Sequence, residues 1–166
     1  MANNKEEQLI EMIERHGDKV FRLALRCTGC RQQAEDITQE TFLRAYTHLD
    51  RFDGNRPPGP WLMKIALNLC RNWARKNREL PAEIERKSAQ PGPEQSFLEN
   101  EQRQELMRAL NGLPEMYREV LLLRHVSELS YREICDVLGL ELSLLKNRLY
   151  RGRMMLRDML EARREA

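Results

Sequence analysis

All seven prolines of this 166-residue chain fall in three places, Pro57 to Pro60, Pro81 to Pro93, and Pro114. Proline fixes φ and lacks an amide hydrogen, so it interrupts a helix interior, and these places cut the chain into segments. The segments between them are rich in Leu, Met, Arg, Glu and Ala, which favour helix. Stretches of Val, Ile and Thr suited to strands are missing. The expected fold class is all-α.

The apolar spacing sets the segments more closely. Leu9, Ile10, Ile13, Val20, Phe21, Ala24 and Leu25 recur at helical intervals, which predicts one helix over Glu7 to Thr28, or two in series divided at Gly17. Thr28-Gly29 ends it. A second helix is expected from Gln32 to Leu49, with Ala34, Ile37, Thr41, Ala45 and His48 or Leu49 along one side. Arg51 to Pro60, with three prolines and two glycines, is expected to be non-helical, and a third helix to run from Trp61 to Arg78. Glu79 to Phe97 is polar and holds three more prolines, the composition of a flexible connector. Residues 1–78 therefore form one expected domain, 79–97 a linker and 98–166 a second domain. In the latter, Leu98 to Asn111 and Glu115 to Val126 read as helices around a break at Gly112-Leu113-Pro114, and two short helices close the chain.

Charge adds a constraint through its distribution. The net charge is only +2, but Lys and Arg outnumber Asp and Glu by 14 to 10 over residues 1–78, while 79–100 is acidic, 2 against 5. No run of about 18 apolar residues suggests a membrane span, and the polar, acidic N-terminus has no signal-peptide pattern. A cytoplasmic protein is expected. Four cysteines are too few for a disulfide framework.

The clearest motif is LSYREICDVLGLELSLLKNRLYRGR. Ser130 and Glu133 have the S-x-x-E spacing of a capping box, and Gly139 supplies the left-handed residue that ends a helix. After about three residues a second helix carries Leu142, Leu145, Leu149, Gly152 and Leu156 on one stripe and Lys146, Tyr150, Arg153 and Arg157 on a neighbouring one, with Asn147 and Arg151 beside it. That division is what a helix-turn-helix needs. One face packs on the first helix and the other enters the major groove, where Lys, Arg and Asn reach phosphates and base edges.

The third helix is also two-faced. At about 100° per residue, Lys64, Asn68, Arg71, Arg75 and Arg78 fall within roughly 40° of one line, with Leu62, Ala66, Leu69 and Trp73 opposite. Residues 61–78 contain no acidic side chain, so this cationic face has no partner within its own helix and would attract a phosphate backbone. Phe52 and Trp61 stand beside it, suited either to stacking on unpaired bases or to the core.

Three segments together resemble the sigma-70 family of RNA polymerase factors, in its extracytoplasmic-function (group IV) branch. AEDITQETFLRAYTHLDRF resembles the D-x-x-Q-E-x-F signature of region 2, PWLMKIALNLCRNWARK the promoter-melting helix, and LPEMYREVLLLRHVSELSYREICDVLGL with LKNRLYRGR resembles region 4. The resemblance implies a non-enzymatic initiation factor with no catalytic residue, metal or cofactor. It implies that Asp36, Gln39, Glu40 and Arg44 dock on the β′ clamp helices of core RNA polymerase, whose β flap takes region 4. It implies that Phe52, Trp61, Lys64, Asn68, Arg71 and Arg75 hold melted minus-10 DNA, and that Ser143, Lys146, Asn147, Tyr150 and Arg151 read the minus-35 duplex. An anti-sigma factor, membrane-anchored or not, is a further implied partner; the chain itself is not a membrane protein.

Some residues depart from the pattern. Pro57-Pro58 stands where many members have Ser-Phe, and Ser143-Leu144 where Gly-Thr is frequent, so neither promoter element can be spelled out. Two rival readings remain. A stand-alone helix-turn-helix regulator needs no D-x-x-Q-E face, and a thiol or zinc sensor would use Cys27 and Cys30, whose C-x-x-C spacing supplies only two of four ligands.

Overall fold

The computed structural model of the chain describes residues 2–79 and 97–166. Within them lie seven α-helices: α1 (Ala2–Thr28), α2 (Arg31–Thr47), α3 (Pro58–Glu79), α4 (Phe97–Gly112), α5 (Glu115–His125), α6 (Tyr131–Leu138) and α7 (Leu142–Glu165). A single 3₁₀ turn, Leu49–Arg51, follows α2. The all-α class read from the sequence holds.

α1 is one helix, running through Gly17 without a break. A mid-helix glycine costs only about 1 kcal/mol, and Met12 before Gly17 and Val20 and Leu23 after it are buried in one apolar cluster. Its end is sharp. Gly29 takes φ +66° and its amide donates to the Leu25 carbonyl at 2.8 Å. The Thr28 hydroxyl donates to the Ala24 carbonyl at 2.9 Å.

The expectation that Arg51 to Pro60 contains no helix needs correcting at both ends. Leu49–Arg51 is a 3₁₀ turn, and α3 begins at Pro58. The first four amides of a helix have no intrahelical acceptor, so Pro58 and Pro60 forfeit nothing there and their fixed φ suits the turn. Gly59 allows a close approach to α1: a Cβ there would lie 3.3 Å from His16 Cε1. The closing helices differ too, for α7 is 24 residues long rather than short.

α1, α2 and α3 pack on one another, and α5, α6 and α7 do likewise, with α4 lying along α7. Gly152 of α7 sits directly against α5, where a Cβ would meet Leu121 Cδ1 and Tyr117 Cβ at 3.3 Å. The buried apolar cluster does not stop between these groups. Leu62, Met63 and Leu67 of α3 belong to the same cluster as Leu121 and Leu123 of α5 and Ile134 and Val137 of α6. α3 packs on α6, and α1 touches α5. The expected linker, 79–97, lies outside the described residues except at its ends, where α3 runs to Glu79 and α4 starts at Phe97.

Candidate nucleic-acid interface

The helix-turn-helix is formed as its local residues dictate. The Ser130 hydroxyl accepts from the Glu133 amide at 3.2 Å, and the Glu133 carboxylate accepts from the Ser130 amide at 2.7 Å. This capping box starts α6, and Gly139 at φ +65° ends it. Three residues later α7 begins. Leu145, Leu149 and Gly152 are buried, whereas Ser143, Lys146, Asn147, Tyr150 and Arg151 are all exposed, Tyr150 at 65%. Leu142, expected on the apolar stripe, is 48% exposed instead, at the first residue of α7. The remaining side chains give α7 one open polar and cationic face.

The cationic face of α3 is built differently. Lys64, Asn68, Arg75 and Arg78 are exposed, but Arg71 is half-buried. Its guanidinium donates through Nε to Glu119 Oε1 at 2.6 Å and through Nη2 to Glu119 Oε2 at 2.7 Å. A second Nη donates to Asn68 Oδ1 at 3.4 Å. The partner missing from α3 itself therefore comes from α5, 48 residues away. Glu119 is only 7% exposed, so this fork-to-fork pair is shielded from water on one side. Its hydrogen bonds push the Arg71 guanidinium above its ordinary range, although burial acts in the opposite direction.

The opposite face of α3 is broader than the sequence suggested. Leu62 and Ala66 are buried, but so are Met63, Leu67 and Cys70, while Leu69 and Trp73 are only half-buried. Of the added residues, Cys70 packs with Ala24, Ala34 and Ile37 of α1 and α2, whereas Met63 and Leu67 join the cluster that continues into α5 and α6, neighbours that helical periodicity in α3 could not reveal. Phe52 and Trp61 stack on each other with ring centroids 4.6 Å apart and planes at 26°. Both are half-buried against the core, which takes one side of the pair and leaves part of each ring exposed.

On α2, Asp36, Gln39 and Arg44 are exposed, and Arg44 Nε donates to Glu40 Oε1 at 2.7 Å one turn away. Ala34, Ile37, Thr41 and Ala45 fill the inner side. Beside Gln39 a groove of about 550 Å³ runs between α1 and α2, lined by Leu9, Ile13, Phe42, Leu43 and Tyr46. Its exposed apolar rim includes Ile13, at 42% one of the helically spaced apolar residues of the sequence, and Leu43 at 62%.

Two of the cysteines, Cys27 and Cys70, come together. Cys30 is the N-cap residue of α2, whereas Cys27 packs against the cluster of Ala24, Ala34, Ile37 and Cys70. A hydrogen bond with Cys27, together with burial, raises the Cys70 thiol well out of the usual range and so opposes thiolate formation. Among the described residues no group of three or more His, Cys, Asp or Glu is placed to hold a metal ion. None of the described helices is long and apolar enough to cross a membrane.

Two helical regions, one carrying a capped helix-turn-helix and the other a cationic helix behind a proline turn, define a modular helical nucleic-acid-binding protein. Residues 12–79 match the family model of Sigma-70 region 2, and residues 103–156 match that of Sigma-70, region 4. The chain is 36% identical over 156 residues to the ECF RNA polymerase sigma factor SigE of Mycolicibacterium smegmatis, covering 90% of this chain and 60% of that one. It is 33% identical over 171 residues to the ECF RNA polymerase sigma factor SigW of Bacillus subtilis, covering 93% and 90%. The chain belongs to the ECF RNA polymerase sigma factor family. Among solved structures it is similar to CnrH in complex with the cytosolic domain of CnrY, with a TM-score of 0.76, 26% identity and coverage of 95% and 90%. It also shares its fold with the sigma factor RpoE of Bartonella quintana, solved with the anti-sigma factor NepR, at a TM-score of 0.72 and 22% identity. The stand-alone regulator and the thiol sensor are not favoured beside this relationship.

Proposed function

We propose that this chain binds core RNA polymerase in the cytoplasm and directs it to minus-10 and minus-35 promoter elements, under the control of an anti-sigma factor. Asp36, Gln39, Glu40 and Arg44 dock on the β′ clamp helices, and the β flap receives the C-terminal region. Acidic and amide groups on an exposed helix face complement an arginine-rich coiled coil. Phe52, Trp61, Lys64, Asn68, Arg71 and Arg75 hold the melted minus-10 strand. Ser143, Lys146, Asn147, Tyr150 and Arg151 read duplex minus-35 DNA.

The observation that carries this reading is the clean division of α7, with Leu145, Leu149 and Gly152 buried behind it and every proposed reading residue exposed in front. Positioning and recognition are the whole of the task, since bond formation belongs to the polymerase. Two modest DNA contacts held in one chain strengthen each other through effective concentration, and the polymerase fixes their separation. The anti-sigma part of the proposal draws support from the fold shared with RpoE, which was solved with the anti-sigma factor NepR, and from the likeness to CnrH, which was solved with the cytosolic domain of CnrY.

Run-off transcription with core polymerase on a library of promoter fragments tests the proposal. The intact chain should start transcripts at defined sites, and both Asp36→Arg and Lys146→Glu should weaken them. Tight binding to duplex DNA by the chain alone, with no chain-dependent initiation, would transfer the function to a stand-alone regulator.

A further inference from the structure

Four cations of α1, Arg15, Lys19, Arg22 and Arg26, recur at helical intervals and lie within about 60° of one line along the helix. The fold gives them unequal company. Arg15 pairs with Glu11 at 2.8 Å and Lys19 with Glu128 at 2.9 Å, and Glu128 also lies near Arg22. Arg26, half-buried near the end of the helix, meets no carboxylate among the described residues. Its Nη1 donates to Met107 Sδ of α4 at 3.1 Å, and the charge beside it is another cation, Arg103, one turn before Met107. A thioether is a weak acceptor, and a guanidinium carries five N–H donors that burial strips of water. Burial and Arg103 together push the Arg26 guanidinium below its ordinary range, yet arginine stays charged. Its nitrogens are not sealed in. Among the described residues the buried side-chain polar atom without a partner is Ser127 Oγ, so the remaining nitrogens of Arg26 still reach solvent.

We propose that Arg26 of α1 and Arg103 of α4 form a binding site for a phosphate dianion, carried by free pyrophosphate or by the phosphate end of a nucleotide. Two guanidiniums come together there from different helices, and their forked donors match phosphate oxygens better than an ammonium would. A dianion supplies one charge to each. Chloride or a single carboxylate would leave one cation uncompensated in a partly dehydrated place. Met107 Sδ yields readily, because a weak acceptor loses little when a phosphate oxygen takes its hydrogen bond. Arg22, exposed one turn before Arg26 on the same line, extends the site towards a second phosphoryl group. The site uses none of the side chains assigned above to DNA or to polymerase.

The test is calorimetric titration of the full chain with sodium pyrophosphate, in magnesium-free buffer at fixed ionic strength, with sodium chloride as the blank. Saturable one-to-one binding is expected, with an unfolding temperature that rises with ligand concentration. Arg26→Gln and Arg103→Gln should each weaken binding about tenfold or more. Arg103 is exposed, so its variant decides the matter if Arg26→Gln does not fold. Met107→Leu keeps the packing volume and should bind as tightly as the intact chain. Arg15→Gln, on the same face but paired with Glu11, should also leave binding unchanged. A nucleoside triphosphate then separates the two sources: tighter binding than pyrophosphate assigns the site to a nucleotide, and equal or weaker binding assigns it to free pyrophosphate. No saturable binding, indifference to both Arg26→Gln and Arg103→Gln, or an equal loss in Arg15→Gln overturns the site. Oligodeoxythymidine binding that falls in Arg26→Gln, in a chain that ignores pyrophosphate, would give Arg26 to a nucleic-acid backbone instead.

Discussion

α3 and α7 carry the same kinds of side chain, Lys, Arg and Asn on one face and Leu on the other, yet the fold treats them differently. On α7 the proposed reading residues project into solvent, and the nearby Arg157 pairs with Asp158 and Glu161 of its own helix. On α3 the central Arg71 is taken by a buried carboxylate from a distant helix. A basic helix face is therefore not one kind of object. Its availability is set by what the rest of the chain places opposite it, solvent for the reading residues of α7 and Glu119 for Arg71 of α3.

The largest expected effect asks whether the faces rest on one core or two. Leu67→Ala in α3 and Leu149→Ala in α7 should each lower stability by about 2–5 kcal/mol, and each should shift one common thermal transition. Two separate transitions, each moved by one substitution only, would show that the continuous cluster does not unite the halves. Next in size, Lys146→Glu should weaken binding of the free chain to duplex promoter DNA by about 1–3 kcal/mol, while Arg71→Ala should leave that binding nearly unchanged. Equal losses by fluorescence anisotropy would erase the distinction between an open and a covered face. Ser130→Ala removes the capping box that sets α6 beneath α7 and should cost about 1 kcal/mol, seen as an earlier denaturant midpoint.

The smallest effect concerns pH. Burial, with Lys19 and Arg15 nearby, lowers the pKa of His16, which lies against the start of α3. The folded state then binds fewer protons than the unfolded one. Its stabilisation is present above the ordinary histidine value of 6.5 and is lost as pH falls below it. Glu128, held down chiefly by its hydrogen bond to Lys19, adds a loss of the same sign below the ordinary value of 4.5. Melting curves from pH 7 to 5 should fall, and His16→Gln should flatten the part near 6. A curve that rises on acidification would contradict the assignment.

Local signals made the α6–α7 corner legible in the sequence. Ser130, Glu133 and Gly139 act on their own neighbours, and each appears in the fold as its spacing predicts. The division of α3 was visible for the same reason, since Lys64, Asn68 and Arg75 needed only the helical period to be placed. Glu119 was not visible. One acid inside a helix is ordinary, and nothing in its surroundings points to an arginine 48 residues earlier. Met63 and Leu67 were missed on the same account, because α6 is the neighbour that buries them. Pro58 and Pro60 misled in another way: they forbid a helix interior, yet they fit its first turn. Ile13 shows the converse, an apolar residue at helical spacing that lines an open groove.

Gly152 makes α7 a lever whose fulcrum is a single hydrogen atom. A methyl group there would have to shift Leu121 and Tyr117 by a few tenths of an ångström. A rod about 36 Å long magnifies a tilt at its middle into a larger displacement towards its ends. Lys146 and Asn147 lie more than a turn before Gly152, yet their aim depends on that crossing. Natural variation at this position should therefore alter which bases the helix can reach well before it alters whether the helix forms.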